Sequence, residues 1–427
     1  MVNSAMCHHC SSQIALREES FDFFASAAVP ITPRFRQLLN HFIEILTPVT
    51  NPVIYGPADK IVITSALIDI LRSVVKDPAC LHAVIADAAS HQAGVRKENN
   101  QVEEHKLAQE EADTHRSKAI SLVRARLQYQ HGSFSTSTII TVRHLGVMAI
   151  KQGEEEFVAH HDGLAEMVKL SGGIDALPRT AAYHVSKAEA QMAWHRQRTP
   201  LLPPFKSRFY DADCWDEEAG MLLDQFERPC EDHHLWTSLC PQLFEVACEL
   251  QHLTRLVETY SRTPRLVTAL MREFAEDTYA KVQYNIVSFP FPCPGACDTP
   301  EYHRQDALRV AALIYLNTAI RVKPYDKFLQ TLITRLSGSL QKSNVEELWV
   351  PHQSVLLWVM FLGYHACRGK AEQEWYATEL RRLVHFVHFR RLDDIRVVLR
   401  MSLYRESVYD ATLRDLCTNC LQPLLNE

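Results

Sequence analysis

Apolar residues in this chain return every third or fourth position over stretches longer than an ordinary strand, and that period dictates helices. Leu81, Val84, Ile85, Ala88 and Ala89 fall at i, i+3, i+4, i+7 and i+8, along one side of a helix. Asp77-Pro78 just upstream supplies the start: a side chain that accepts from free N–H groups, then a proline whose missing N–H costs nothing there. Leu308, Ala311, Ala312, Tyr315, Leu316 and Ala319 repeat the pattern. Phe157, Leu164 and Val168 share one side of a helix that Gly172-Gly173 stops. Residues 136–142 are rich in β-branched side chains, which suit strands. Their apolar pattern nevertheless continues through Leu145, Met148 and Ala149, and predicts helix. Glycine, needed wherever hairpins turn tightly, makes up only 13 of 427 residues, where usage of about 7% is average.

Two proline-containing stretches interrupt the helical period. Residues 199–213 hold Pro200, Pro203 and Pro204, and residues 288–300 hold Pro290, Pro292, Pro294 and Pro300. Proline removes a helical hydrogen bond and biases its predecessor towards extended backbone, so both stretches read as loops. The acidic stretch 98–113 reads either as a further break or as the first turns of a long surface helix. The expected architecture is all-α, a large irregular bundle of packed helix pairs without internal repeat. Residues 1–20 form a weakly ordered tail, and 21–427 form the helical unit.

The net charge is −6. A protein that lives on phosphate backbones usually shows a basic domain or stripe, so nucleic acid is not the expected main contact of the whole chain. The 12 cysteines are scattered, as at Cys80, Cys248 and Cys367, and the polar, histidine-rich start at Met1 lacks the apolar run of a secretory signal. Free, buried thiols in a reducing compartment are expected. The most apolar run, residues 355–362, is far short of the roughly 20 residues that cross a bilayer. It predicts a helix buried on all sides, and no membrane contact.

Several constellations invite chemistry. His160-His161-Asp162, with His144 upstream, resembles part of a metal-dependent phosphohydrolase centre of the HD type. The rest of such a cluster is not recognisable, and His161 falls on the face of Phe157, Leu164 and Val168, where a packed imidazole is the simpler expectation. Cys7-His8-His9-Cys10 has the spacing of half a zinc site, which Cys417 and Cys420 complete only if the termini meet. Cys293 and Cys297 flank a Pro-Gly turn. Residues 381–400 carry six arginines with Phe386, Phe389, His385 and His388. Basic residues among aromatics suit nucleic acid, but they equally describe an amphipathic helix whose leucines and phenylalanines face the core. No phosphate loop, dinucleotide turn or nucleophile elbow is present. No catalytic residue, metal ligand or cofactor is assigned, and a ligand-binding set is unknown.

Four segments in order resemble one family. Residues 77–91 (DPACLHAVIADAASH) are similar to an early helix of the fungal-specific transcription factor regulatory domain. Residues 158–173 (VAHHDGLAEMVKLSGG) resemble its His-Gly-Leu…Gly-Gly segment, carried here by His160 or His161 with Gly163, Leu164, Gly172 and Gly173. Residues 309–321 (RVAALIYLNTAIR) resemble its later Arg-led helix, and residues 356–363 (LLWVMFLG) its Leu-Leu-Trp helix. The resemblance implies an all-helical, regulatory-domain-like fold without catalysis, a nuclear location, and partners in the transcription machinery or a homo- or heterodimer partner. It also allows a small-molecule effector. Full-length members begin with six cysteines holding two zinc ions and a basic linker. Here only Cys7 and Cys10 stand at that place, so direct zinc-dependent DNA binding is not expected. The chain is then a stand-alone homologue or one truncated at its start. The competing functions are a metal-dependent helical hydrolase using the 160–162 region, and a cytoplasmic helical scaffold or sensor.

Overall fold

The computed structural model describes residues 27–47, 74–129, 134–153, 155–211, 217, 220–221, 241–262, 268–289, 298–320 and 326–421. Among them there is no strand, as the period requires. Helix α1 (Pro33–His41) continues as a π-helical turn, Phe42–Leu46. α2 (Pro78–Glu98) opens where the sequence places it: the Asp77 carboxylate accepts from the Ala79 and Cys80 N–H groups at 2.9 and 3.1 Å. The same grammar, a side-chain cap followed by proline, opens α1 at Thr32-Pro33. The tail and the Cys7–Cys10 string lie outside the described residues, as do Cys293 and Cys297.

α2 ends in a left-handed Asn100, and α3 (Val102–Tyr129) returns along it. The acidic stretch is therefore the beginning of a long helix. Ala108, Ala112, His115, Ala119 and Val123 form its buried stripe, mostly small residues that let the two helices lie close. α4 (Thr136–Gln152) is helical despite its β-branched start, capped by Ser135 and ended by left-handed Gly153. α5 (Phe157–Leu170) stops at Gly172 and Gly173, both at positive φ, with the Gly173 N–H donating back to the Val168 carbonyl. α6 (Arg179–His195) closes this group.

The remaining helices are α7 (Pro241–Arg262), α8 (Ala269–Ser288) and α9 (Pro300–Tyr315), which runs on as the π-turn Leu316–Ile320. They are followed by α10 (Asp326–Lys342), α11 (Gln353–Ala366), α12 (Gln373–Val387), α13 (Leu392–Ser402) and α14 (Glu406–Leu416). Residues 355–362 of α11 are buried all round, as their unbroken apolarity predicts. Residues 199–211 are non-helical, as expected, but the second proline segment needs adjustment. Ser288 still belongs to α8, and Pro300 is the first residue of α9 beneath a Thr299 cap, so that proline starts a helix.

Two large apolar clusters result. One gathers α1 to α6 around Leu38, Val84, Ile85, Ile139, Leu164 and Tyr183. The other gathers α7 to α14 around Phe274, Leu313, Tyr315, Trp358, Phe361 and Tyr409. Helix α6 serves both: Val185, Ala188 and Met192 face the first, Ala190, Ala193 and Trp194 the second. Helix α8 packs against α6 and lends Ala280 to the first cluster. The α6–α8 contact is the seam of the molecule.

Candidate functional site

His161 is fully buried on α5, on the inner face shared with Leu164 and Val168. Its Nε2 lies 2.8 Å from Glu189 Oε2 on α6, itself fully buried. Arg196 Nη1 donates to His161 Nδ1 at 3.3 Å, which leaves Nε2 to carry the proton donated to Glu189. The other Glu189 oxygen accepts from the backbone N–H groups of Leu201 and Leu202. Arg196 also pairs with Asp162. The string that invited a metal is thus an anchor: it ties α5, the end of α6 and the non-helical segment 200–202 into one bonded unit. His144 stands apart on α4, beside Arg143 and the Lys151–Asp87 pair (2.7 Å). Burial, with the Arg143 charge, pushes His144 down to about 3. Among the described residues no three histidine, cysteine or acidic side chains converge as a metal site.

The densest ionic cluster lies at the seam. Arg179, at the start of α6, meets three carboxylates of α8: Glu273 at 3.0 Å, Glu276 at 2.8 Å and Asp277 at 2.6 Å. The loop after α6 joins them, with Arg208 on Glu273 at 2.9 Å and the Ser207 hydroxyl donating to Asp277 at 2.6 Å. Burial pushes Asp277 up to about 6, against the opposing pull of Arg179 and Ser207. Buried Lys187 stacks between the rings of Tyr183 and Tyr279, 5.9 and 5.4 Å from their centroids.

At the other end of the seam, Trp194 of α6 is approached by two guanidinium groups, Arg309 at 5.2 Å and Arg335 at 5.3 Å from its ring. Arg309 is fully buried and pairs with Asp306, which also accepts from Arg335 at 2.9 Å and Ser339 at 2.6 Å. Burial alone would raise Asp306; the two arginines outweigh it and hold the carboxylate below its ordinary value. The pattern that could have announced these groups was in the sequence. Lys187 and Glu189 sit inside the alanine-rich run of α6, and Arg309 stands in the second half of α9 directly before the apolar run 310–316. A charge inside such a run is either exposed on a narrow polar face or buried with a partner.

Residues 381–400 form two helices, α12 and α13, joined by a turn at left-handed His388. Leu380, Leu383, Val384, Ile395 and Leu399 face the core and Phe389 packs against it, but Phe386 is 60% exposed, against the expectation that both phenylalanines point inward. Four of the six arginines are held by carboxylates: Arg381 by Glu374, Arg382 by Glu379, Arg396 by Asp393 and Arg400 by Glu406. That consumes most of the charge a phosphate backbone would need. Cys417 is buried, and its half-buried neighbour Cys420 lies 3.8 Å from the Tyr364 hydroxyl. A shallow, open depression on α3 is lined by Ser117, Ile120, Ser121, Arg124, Ala125 and Gln128.

The four motif segments have structural jobs. Asp77 caps α2, and His91 meets His41 of α1 at 2.9 Å. Gly172 and Gly173 turn the chain out of α5. Arg309 fills the seam. Gly363 lets the Tyr376 ring lie on the backbone of α11, where a Cβ would overlap it.

A family model described as fungal specific transcription factor domain matches residues 35–402, which takes in all four segments. No curated protein and no solved structure matches the chain.

Proposed function

The chain belongs to the fungal-specific transcription factor domain family, and from that premise we propose that it regulates transcription by binding protein partners or a small-molecule effector. The role is transcription-regulator-like; the observation that carries it is the family match along nearly the whole helical region. The bonding of the His161 region favours this reading over hydrolysis. Its imidazole is committed at both nitrogens to Glu189 and Arg196, and its carboxylate partner to backbone N–H groups, so none is poised towards a substrate. Engagement of four arginines in residues 381–400 likewise favours partners over direct contact with DNA.

Two measurements test the proposal. A C-terminally tagged chain in a filamentous fungus is expected to enter the nucleus under at least one growth condition. Tethered to a promoter through a foreign DNA-binding domain, it is expected to change reporter output relative to that domain alone. Strict nuclear exclusion together with an unchanged reporter contradicts the proposal.

A further inference from the structure

Two surface patches of this chain carry matched chemistry. The first is the end of α12 and the turn that follows. Residues 380–392 contain four arginines and two histidines and not one acidic residue. Phe386 is 60% exposed there, and Arg390 and Arg391 are exposed with no ion pair among the described residues. This is a local inversion in a chain of net charge −6.

The second patch is the outer face of α3. Glu103, Leu107 and Glu110 lie at i, i+4 and i+7, one stripe of the helix, opposite in character to the buried alanine stripe. All three are exposed, Leu107 at 65%, with Val102 beside them at 70%. The carboxylates of Glu103 and Glu110 take no ion pair among the described residues, whereas Glu111, one residue on, is held by Arg34 at 2.6 Å. An exposed apolar side chain flanked by unpaired charge is what a polar-rimmed contact requires on each side.

We propose that the α12–α13 turn of one copy docks on the outer face of α3 of a second copy. Phe386 meets Val102 and Leu107, and Arg390 and Arg391 meet Glu103 and Glu110. The second copy is favoured over nucleic acid because a phosphate backbone needs a continuous positive surface. Here Asp393 and Asp394 border the two free arginines, and the neighbouring arginines are already paired. Patches of this size bury little area, below about 1,200 Å², so the association is weak and governed by salt. It does not depend on the regulatory reading.

Sedimentation velocity of the full chain tests this. Self-association is expected at low salt, weakening at least about tenfold in dissociation constant at high salt. Arg390→Glu with Arg391→Glu, or Glu103→Lys with Glu110→Lys, each lowers affinity at least about tenfold, because like charges then face each other. Mixing the two double variants restores association as a one-to-one complex, since acidic turn now meets basic helix and basic turn meets acidic helix. Phe386→Ala weakens association in the wild-type background. Unchanged far-UV circular dichroism confirms that these surface variants fold. A chain that stays monomeric at all concentrations overturns the proposal, as does association that survives both reversals or a mixture that fails to associate. Monomeric protein that binds duplex DNA, and loses it on Arg390→Glu with Arg391→Glu, overturns it in favour of nucleic acid.

Discussion

In the N-terminal core, imidazoles and a lysine–aspartate pair share the interior with alanine, valine and leucine. His82 and His115 meet at 2.8 Å between α2 and α3, His41 and His91 at 2.9 Å between α1 and α2, and Lys151 reaches Asp87 across α4 and α2. In the C-terminal core the interior is leucine, isoleucine and a group of aromatic rings. Tyr315, Trp358, Phe361, Tyr404 and Tyr409 stand with ring centroids 5.7 to 6.2 Å apart, and their polar tips are served locally. Trp358 donates to the Leu403 carbonyl at 2.8 Å, and the Tyr315 hydroxyl meets Thr254 at 2.8 Å. One half depends on polar groups that must keep a protonation state. The other depends chiefly on shape, and its buried charges, such as Arg309 on Asp306 and Glu249 on Lys281, are each held by a partner of opposite sign. The seam combines both, with ion pairs at one end and a tryptophan between guanidiniums at the other.

The largest effect is expected at the seam. Asp306→Ala leaves Arg309 buried without its carboxylate, and breaking such a pair costs about 3–5 kcal/mol. Chemical denaturation should show that loss, and a change under 1 kcal/mol or so would mean that the buried guanidinium needs no partner. Next is the shape-dependent core. Gly363→Ala drives a methyl group into the Tyr376 ring, and overpacking of this kind costs about 1–3 kcal/mol. The loss should concentrate in α11 and α12, read as faster amide exchange there than in α2. In the N-terminal core, His161→Ala removes the donor to buried Glu189, an unsatisfied-acceptor penalty of about 1–3 kcal/mol, moderated by the two N–H groups that Glu189 keeps. Purified wild-type protein should carry no stoichiometric transition metal at this place. Finding one bound there, lost in the variant, would return the 160–162 region to chemistry.

Much of the fold was legible because caps and periods are local. Asp77-Pro78, Gly172-Gly173 and the unbroken apolar run 355–362 each declare a physical constraint that no distant residue alters. Pro300 read as a breaker because proline's two uses, ending a helix and starting one, differ only in the residue before it. Thr299, like Thr32 and Asp77, was that signal. The α2 pattern read as one buried face, yet His82, Ala83, Ala86 and Asp87 on other faces are buried too, because α1, α3 and α4 surround the helix. What was not legible is pairing at long range. Nothing local joins His161 to Glu189, Arg179 to Glu276 or Arg309 to Arg335, which only the packing of helices brings together. Exposure of Phe386, by contrast, follows from the local period: Tyr376, Leu380, Leu383 and Val384 form the buried stripe of α12, and Phe386 falls beside that stripe, not on it.

The contrast between the cores fixes the direction of a pH response. His144 lies at about 3, and His41 and His115 at about 4, in the folded chain, chiefly through burial, against an ordinary 6.5. The unfolded state binds more protons, so the stability these groups contribute is whole above about pH 6.5 and is lost as pH falls from there towards 4. Asp277 has the opposite sign. Raised to about 6 from 3.8, it burdens the fold above that pH and relieves it as pH falls. In the C-terminal core His365, down at about 4, is a single ring bonded to Thr412, and His252 and His352 are lowered singly. No facing pair of imidazoles must share a proton there, among the described residues. Two differently built cores meet at one seam, and amide hydrogen exchange followed by mass spectrometry at pH 7 and pH 5 tests this most directly. Protection, corrected for intrinsic rates, should fall first and furthest in α2, α3 and α4, while α9 and α11, where His365 alone is lowered to about 4, lose less. A uniform fall along the chain, or earlier loss in α9 and α11, would contradict it.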